Sequence, residues 1–194
     1  MNFLAHFYLA RSNDDWIVGN FLGDFLKGKE IAQMPDAIKH GIILHRKIDY
    51  FTDNHRIVRR GTHRLHPTHH KYAPVVLDVL YDYFLIKNWN YYLPEMDLES
   101  FIARMYAVLL HNSKFYPPDL QSMLSVWICE DWLSLGATPE GLTHIFDGLK
   151  KKVRYPDMLS GAVNNMLRYE RQFDEEFNIF FPELIAAFTL WTER

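Results

Sequence analysis

The sequence predicts an all-α protein, a multi-helix bundle, and three observations carry that expectation. Apolar residues recur at helical spacing along most of the 194 residues. No run of alternating β-branched residues lies between turn signals, so no strand is expected. Prolines and short polar residues repeatedly stand where a helix would begin.

The elements follow from those signals. A helix is expected from Asp14 to Lys27, capped by Ser12 or Asn13 and closed by Gly28. Pro35 opens a helix through Phe51, and Thr52 or Asp53 would cap the next one, running to Arg64. The polar, His-rich stretch HPTHHKY reads as a connection, after which Pro74 starts an aromatic helix to Trp89. Pro94 and Asp97 precede a helix to His111, and PPD at 117–119 begins one ending near Trp132. Thr138, Pro139 and Glu140 form a cap, first position and acidic first turn for a helix to Lys152. Met158 to Trp191 reads as one long helix, or two joined near Pro182. With no repeat or linker, residues 1–194 are expected to form a single helical domain.

Composition narrows the function classes. Hydrophobic residues make up 48% and charged residues 23%, which argues against disorder or a disulfide scaffold. No apolar run approaches the roughly 18 to 20 residues of a membrane span. The apolar start MNFLAHFYLARSNDDW lacks a basic leader and is interrupted by His6, so it reads as core, and a cytoplasmic protein is expected. The single cysteine, Cys129, fits a reducing compartment, leaves no thiolate metal site and reads as a small buried hydrophobe. Aromatic residues are abundant, and stripes such as Tyr81, Phe84, Tyr91 and Tyr92 read as core packing.

Polar residues on apolar helix faces are the candidate chemistry. Residues four apart share a helix face, so His45 and Asp49 lie with Ile38, Ile42 and Ile48. Asp78 and Asp82 form a second such pair, and Asn20 and Asp24 a third, within GNFLGD. Gly19 and Gly23 each cost a helix about 1 kcal/mol relative to Ala, and they would let a neighbouring helix approach Asp24 closely. His6 is a fourth polar intrusion. Two carboxylates one turn apart repel, and a divalent cation is the usual offset. Oxygen and imidazole donors without thiolate suit Mn2+, Fe2+, Mg2+ or Zn2+, and a carboxylate-heavy mixture favours Mn2+ or Mg2+. Each group also has a plainer reading: Asp53 as a cap, His55 as a surface residue, the carboxylates as salt-bridge partners. No HExxH, Walker loop or GxSxG is present.

Charge is uneven in a chain of net −3. From Lys39 to Lys71 stand Lys39, Arg46, Lys47, Arg56, Arg59, Arg60, Arg64 and Lys71, against Asp49 and Asp53. This basic span is either a solvated face or a dock for an anionic partner.

The segments MNFLAH, GNFLGD with Lys27 and Gly28, GIILHRKIDYFTDNH and YAPVVLDVLYDYFL together resemble the acyl carrier protein phosphodiesterase family. The resemblance runs through most of the first 90 residues in order; the second half agrees mainly in size and helical, aromatic character. It implies an all-helical, HD-domain-like phosphohydrolase, although the chain contains no adjacent His-Asp pair. It implies a divalent metal, typically manganese, and hydrolysis of the phosphodiester joining 4′-phosphopantetheine to a serine of holo-acyl carrier protein. The metal and catalytic positions it implies are Asp24, His45 and Asp49, with His6, Asp53, Asp78 and Asp82 as further metal positions. Carrier proteins are strongly acidic, so Arg46, Lys47, Arg56, Arg59 and Arg60 are the expected dock; no nucleic acid or membrane partner is expected. Two other readings stay open: a metal-dependent phosphohydrolase of a nucleotide or small phosphate ester, and a non-catalytic module binding an acidic protein.

Overall fold

The computed structural model describes residues 2–193, and among them every regular element is helical. The α-helices in order are α1 (Phe3–Ala10), α2 (Asp14–Leu22), α3 (Lys29–Ala32), α4 (Asp36–Asn54), α5 (Arg56–His69), α6 (Ala73–Lys87), α7 (Trp89–Tyr92), α8 (Leu98–His111), α9 (Pro118–Cys129), α10 (Pro139–Lys150), α11 (Ala162–Arg168) and α12 (Glu170–Thr192).

Three of the caps read from sequence are in place, whereas α2 ends at Leu22, short of the expected Lys27 and Gly28. Asn13 accepts from Trp16 N–H, Asp97 from Ser100 N–H and Thr138 from Gly141 N–H, each satisfying one of the orphan donors of a first helical turn. Several boundaries differ. The segment read only as core is itself a helix, α1, buried along Leu4–Ala10. The Pro35 helix continues through Thr52 and Asp53 to Asn54, because the Thr52 hydroxyl bonds back to Ile48 C=O rather than capping a new helix. His55, extended at φ −72° and ψ 131°, makes the break instead. The expected His-rich connection is the last turn of α5 followed by a 3-10 turn at His70–Tyr72, with His69 bonded to Met158 C=O and Asn165. At the C-terminal end the chain breaks at Tyr169, while α12 runs through Pro182.

One contiguous apolar cluster extends from Leu4 to Phe188. Tyr81 and Phe84 of α6 lie inside it, in ring contact with Phe177 and Phe180 of α12, but Tyr91 is 76% exposed and Cys129 is also exposed, both against expectation. Helix α12 packs against α4, α5 and α6. Its Glu176, buried, receives Arg64 in a two-pronged pair at 2.6 and 2.7 Å and Arg60 at 2.7 Å.

The contact that positions the site is between α2 and α4. A Cβ on Gly41 would stand 2.8 Å from Trp16 Cα and 2.9 Å from Gly19 Cα, so the two backbones cross with no room for a side chain. A Cβ on Gly23 would stand 2.5 Å from the His45 ring, so the imidazole rests on that glycine. The close approach expected from Gly19 and Gly23 is therefore made by α4.

Candidate metal centre

Three helices bring the centre together. His6 comes from the middle of α1, His45 and Asp49 from the inner face of α4, and Asp24 from just beyond α2. His6 Nε2 lies 3.2 Å from Asp49 Oδ1, and His45 Nε2 lies 3.1 Å from Asp49 Oδ2 and 3.4 Å from Asp24 Oδ1. The two imidazoles stack with centroids 4.3 Å apart. Among the described residues, donor atoms of His6, His45 and Asp49 all lie within 4.8 Å of one another, a spacing able to hold a cation. The histidines are buried, whereas the Asp49 and Asp24 side chains are 38% and 50% exposed, so the centre opens to solvent through its carboxylates.

The protonation pattern follows from the neighbours. Asn20 donates its amide to Trp16 C=O, which turns its oxygen toward His6 Nδ1 at 2.9 Å. His6 Nδ1 must therefore carry the hydrogen. Burial holds His6 below the ordinary histidine range, against the pull of Asp49. Neutral His6 then presents the lone pair of Nε2, a buried atom with no hydrogen-bond donor, to a carboxylate oxygen. Burial opposes charge on His45 too, but the Asp24 and Asp49 carboxylates outweigh it and raise His45 to about 9. Burial would raise Asp49, but its hydrogen bond from charged His45 overrides that, holding Asp49 far below the usual carboxylate range. A lone pair facing a carboxylate is repulsive unless a cation lies between them, and this set of two imidazoles and carboxylates suits a divalent ion.

The remaining positions read from sequence lie around this group. Both oxygens of Asp82 accept from the first turn of α1, Leu4 N–H at 3.0 Å and Ala5 N–H at 3.2 Å. Asp82 thus caps the helix that carries His6, from 77 residues away in the chain. Its burial pushes it up to about 7 in spite of those two donors. Asp53 is one turn beyond Asp49, exposed, and shares a cavity with Asp78, Arg59, His63 and His66. Burial and the negative charges of Asp49 and Asp53 push Asp78 up.

The basic span divides. Arg46 and Lys47 lie on the opposite face of α4, beside Tyr50, Phe51 and Trp191. Arg56 is exposed, Arg59 stands near Asp53 and Asp78, and Arg60 is engaged by Glu176. His55 is paired with Glu183 at 3.0 Å and packs on Phe51 and Phe180. The role of Asn20 in orienting His6 was not assigned from sequence, although its spacing from Asp24 marked it as an inward-facing polar residue.

Fold and site define a class: a helical-bundle protein with a solvent-open histidine–carboxylate centre built from side chains of facing helices. A family model described as acyl carrier protein phosphodiesterase matches residues 1–184, and the chain belongs to that family. Among its curated relatives is the acyl carrier protein phosphodiesterase of Yersinia enterocolitica serotype O:8, 28% identical over 186 residues, 96% of each chain. Those of Photorhabdus laumondii and Serratia proteamaculans are 28% and 29% identical over 185 residues, covering 95% of this chain and 93% and 96% of theirs. No solved structure matches the chain. No helix among the described residues is long and apolar enough to cross a membrane.

Proposed function

We propose that this chain is a metal-dependent hydrolase that cleaves the phosphodiester between 4′-phosphopantetheine and the serine of holo-acyl carrier protein, leaving the apo-protein. The family and the names of its relatives support the reaction. The observation that supports the metal is the Nε2 lone pair of buried His6 facing Asp49 Oδ1 at 3.2 Å. In this reading residues 1–194 act as one helical, HD-like unit in the cytoplasm, and Mn2+ is the favoured ion.

His6, His45 and Asp49 would hold the ion, with Asp24 at its open side. A bound divalent cation neutralises the diester anion and brings the pKa of water to near 7. The chain's own residues do the rest. Asn20 fixes the His6 tautomer, and Asp82 fixes the helix on which His6 is carried. Asp24, half exposed at the rim, accepts the proton of the attacking water. The water oxygen adds to phosphorus, the bond from phosphorus to the serine oxygen breaks, and the proton is delivered to that oxygen. Free 4′-phosphopantetheine and unmodified serine result.

The test is mass spectrometry of holo-carrier protein incubated with this protein and manganese, beside an EDTA control and Asp24→Ala. Loss of the phosphopantetheine mass only in the complete mixture supports the reaction. An unchanged carrier mass in every tube, with folded protein, removes it.

A further inference from the structure

Beside the centre lies a cavity of about 480 Å³ that the chemistry above leaves unused, within the range of small-molecule sites. Asp24, 3.4 Å from His45, lines it together with Asp78 and Asp82, so the cavity adjoins the candidate metal centre at Asp24. Its other walls come from the second half of the chain, α9, the turn after it and α10, set against Phe3 and the outer face of α6. Phe3, Trp127 and Trp132 form one aromatic wall, with ring centroids 5.4 to 6.2 Å apart, and Trp132 Nε1 is a buried donor with no acceptor.

The charges on this lining limit what fits. Four carboxylates, Asp24, Asp78, Asp82 and Glu130, stand against Lys152 and His144. Among the described residues no group of cations lines it to take a second phosphate, so a polyphosphate or nucleotide diphosphate would meet an acidic, apolar wall. An occupant must carry its negative charge at the metal end and be uncharged and largely apolar beyond it. The pantetheine arm has that form: one phosphate, then an uncharged chain of a gem-dimethyl group, a hydroxyl, two amides and a thiol.

We infer that this cavity holds the pantetheine arm during cleavage, and that the α9–α10 segment encloses it. This rests on the proposed reaction. The arm enters past Asp24 with its phosphate at His6, His45 and Asp49 and lies between α6 and the α9–α10 segment. Its apolar body packs on Trp127 and Trp132. The carrier protein then stays outside, on the side of Asp53 and Arg59, where Asp78 forms a wall common to both cavities.

Gly148 of α10 supplies the test. It lines the cavity, and an added Cβ meets no atom within 4 Å, so larger side chains enter open space rather than the core. Replacing a helix glycine also favours the helix. In the series Gly148→Ala, Gly148→Leu, Gly148→Phe, kcat/KM on holo-carrier protein is expected to fall stepwise, by at least tenfold for Gly148→Phe. Melting temperature stays at or above the wild-type value and manganese uptake is unchanged, reporting an intact fold and centre. A folded, metal-loaded Gly148→Phe protein with wild-type kcat/KM overturns the inference. Should wild-type protein not cleave holo-carrier protein at all, calorimetric titration with free 4′-phosphopantetheine decides separately. Binding that Gly148→Phe abolishes keeps the cavity assignment while the reaction falls. Equal binding in both proteins, or none in either, overturns the assignment.

Discussion

His6 Nε2 and Asp49 Oδ1 face each other at 3.2 Å across the packing of α1 on α4, and Asn20 has already claimed the other ring nitrogen of His6. Neutral imidazole and carboxylate in that arrangement repel, and the arrangement is relieved by a cation. Because the two side chains come from helices 43 residues apart in sequence, the relief acts on tertiary structure as well as on chemistry.

Asp49 and Asp82 are both carboxylates in this region, and isosteric amides separate their roles. Asp49→Asn is expected to lower manganese affinity at least a hundredfold, because an anionic donor is lost from the centre. Asp82→Asn removes an acceptor from Leu4 or Ala5 N–H and is expected to lower stability by about 1–3 kcal/mol. Its manganese affinity stays within tenfold of wild type. Denaturant unfolding and metal titration on both variants check this; the reverse pattern would make Asp82 the ligand.

Metal uptake should depend on pH through His45. Its pKa in the folded protein, about 9, is above the unfolded value of 6.5, so the metal-free fold gains stability from the charged ring below pH 6.5 and loses it as pH rises through 9. An ion at Nε2 must displace that proton. Between pH 6.5 and 9 manganese binding is expected to release about one proton, and affinity to rise by about tenfold per pH unit before levelling off. Calorimetry in buffers of different ionisation enthalpy measures the proton directly.

Gly41→Ala tests the close crossing of α2 and α4. The new methyl group meets only backbone, Trp16 Cα at 2.8 Å and Gly19 Cα at 2.9 Å, so the helices must part. Stability should fall by about 1–3 kcal/mol, as for an overpacked core. Asp24 would also shift against His45, and activity at temperatures where the variant is fully folded should drop about tenfold or more.

Among the basic residues, Arg59 should matter most for the carrier protein. It stands in the cavity with Asp53 and Asp78, whereas Arg46 and Lys47 lie across α4 and Arg60 is held by buried Glu176. Arg59→Glu is expected to raise KM for holo-carrier protein about tenfold at low salt, with the difference shrinking at high salt. The double variant Arg46→Glu/Lys47→Glu should change KM less. Arg60→Glu should act on stability, because it places a second acid beside Glu176.

What the sequence determined by itself was local and periodic. Helical spacing set the all-α class, Asn13, Asp97 and Thr138 marked three helix starts, and the i, i+4 rule put His45 and Asp49 on one inward face. The same rule grouped Asp78 with Asp82, but it carries no information about what lies opposite a face. Only tertiary structure could turn both oxygens of Asp82 onto the first turn of α1, set Asn20 against His6, and leave Arg60 with Glu176. Boundaries failed where a competing bond won, as when the Thr52 hydroxyl returned to Ile48 and carried α4 past its expected end. A buried polar group is settled by whichever partner the fold brings within about 3 Å, whether four residues away, as for Thr52, or 77, as for Asp82.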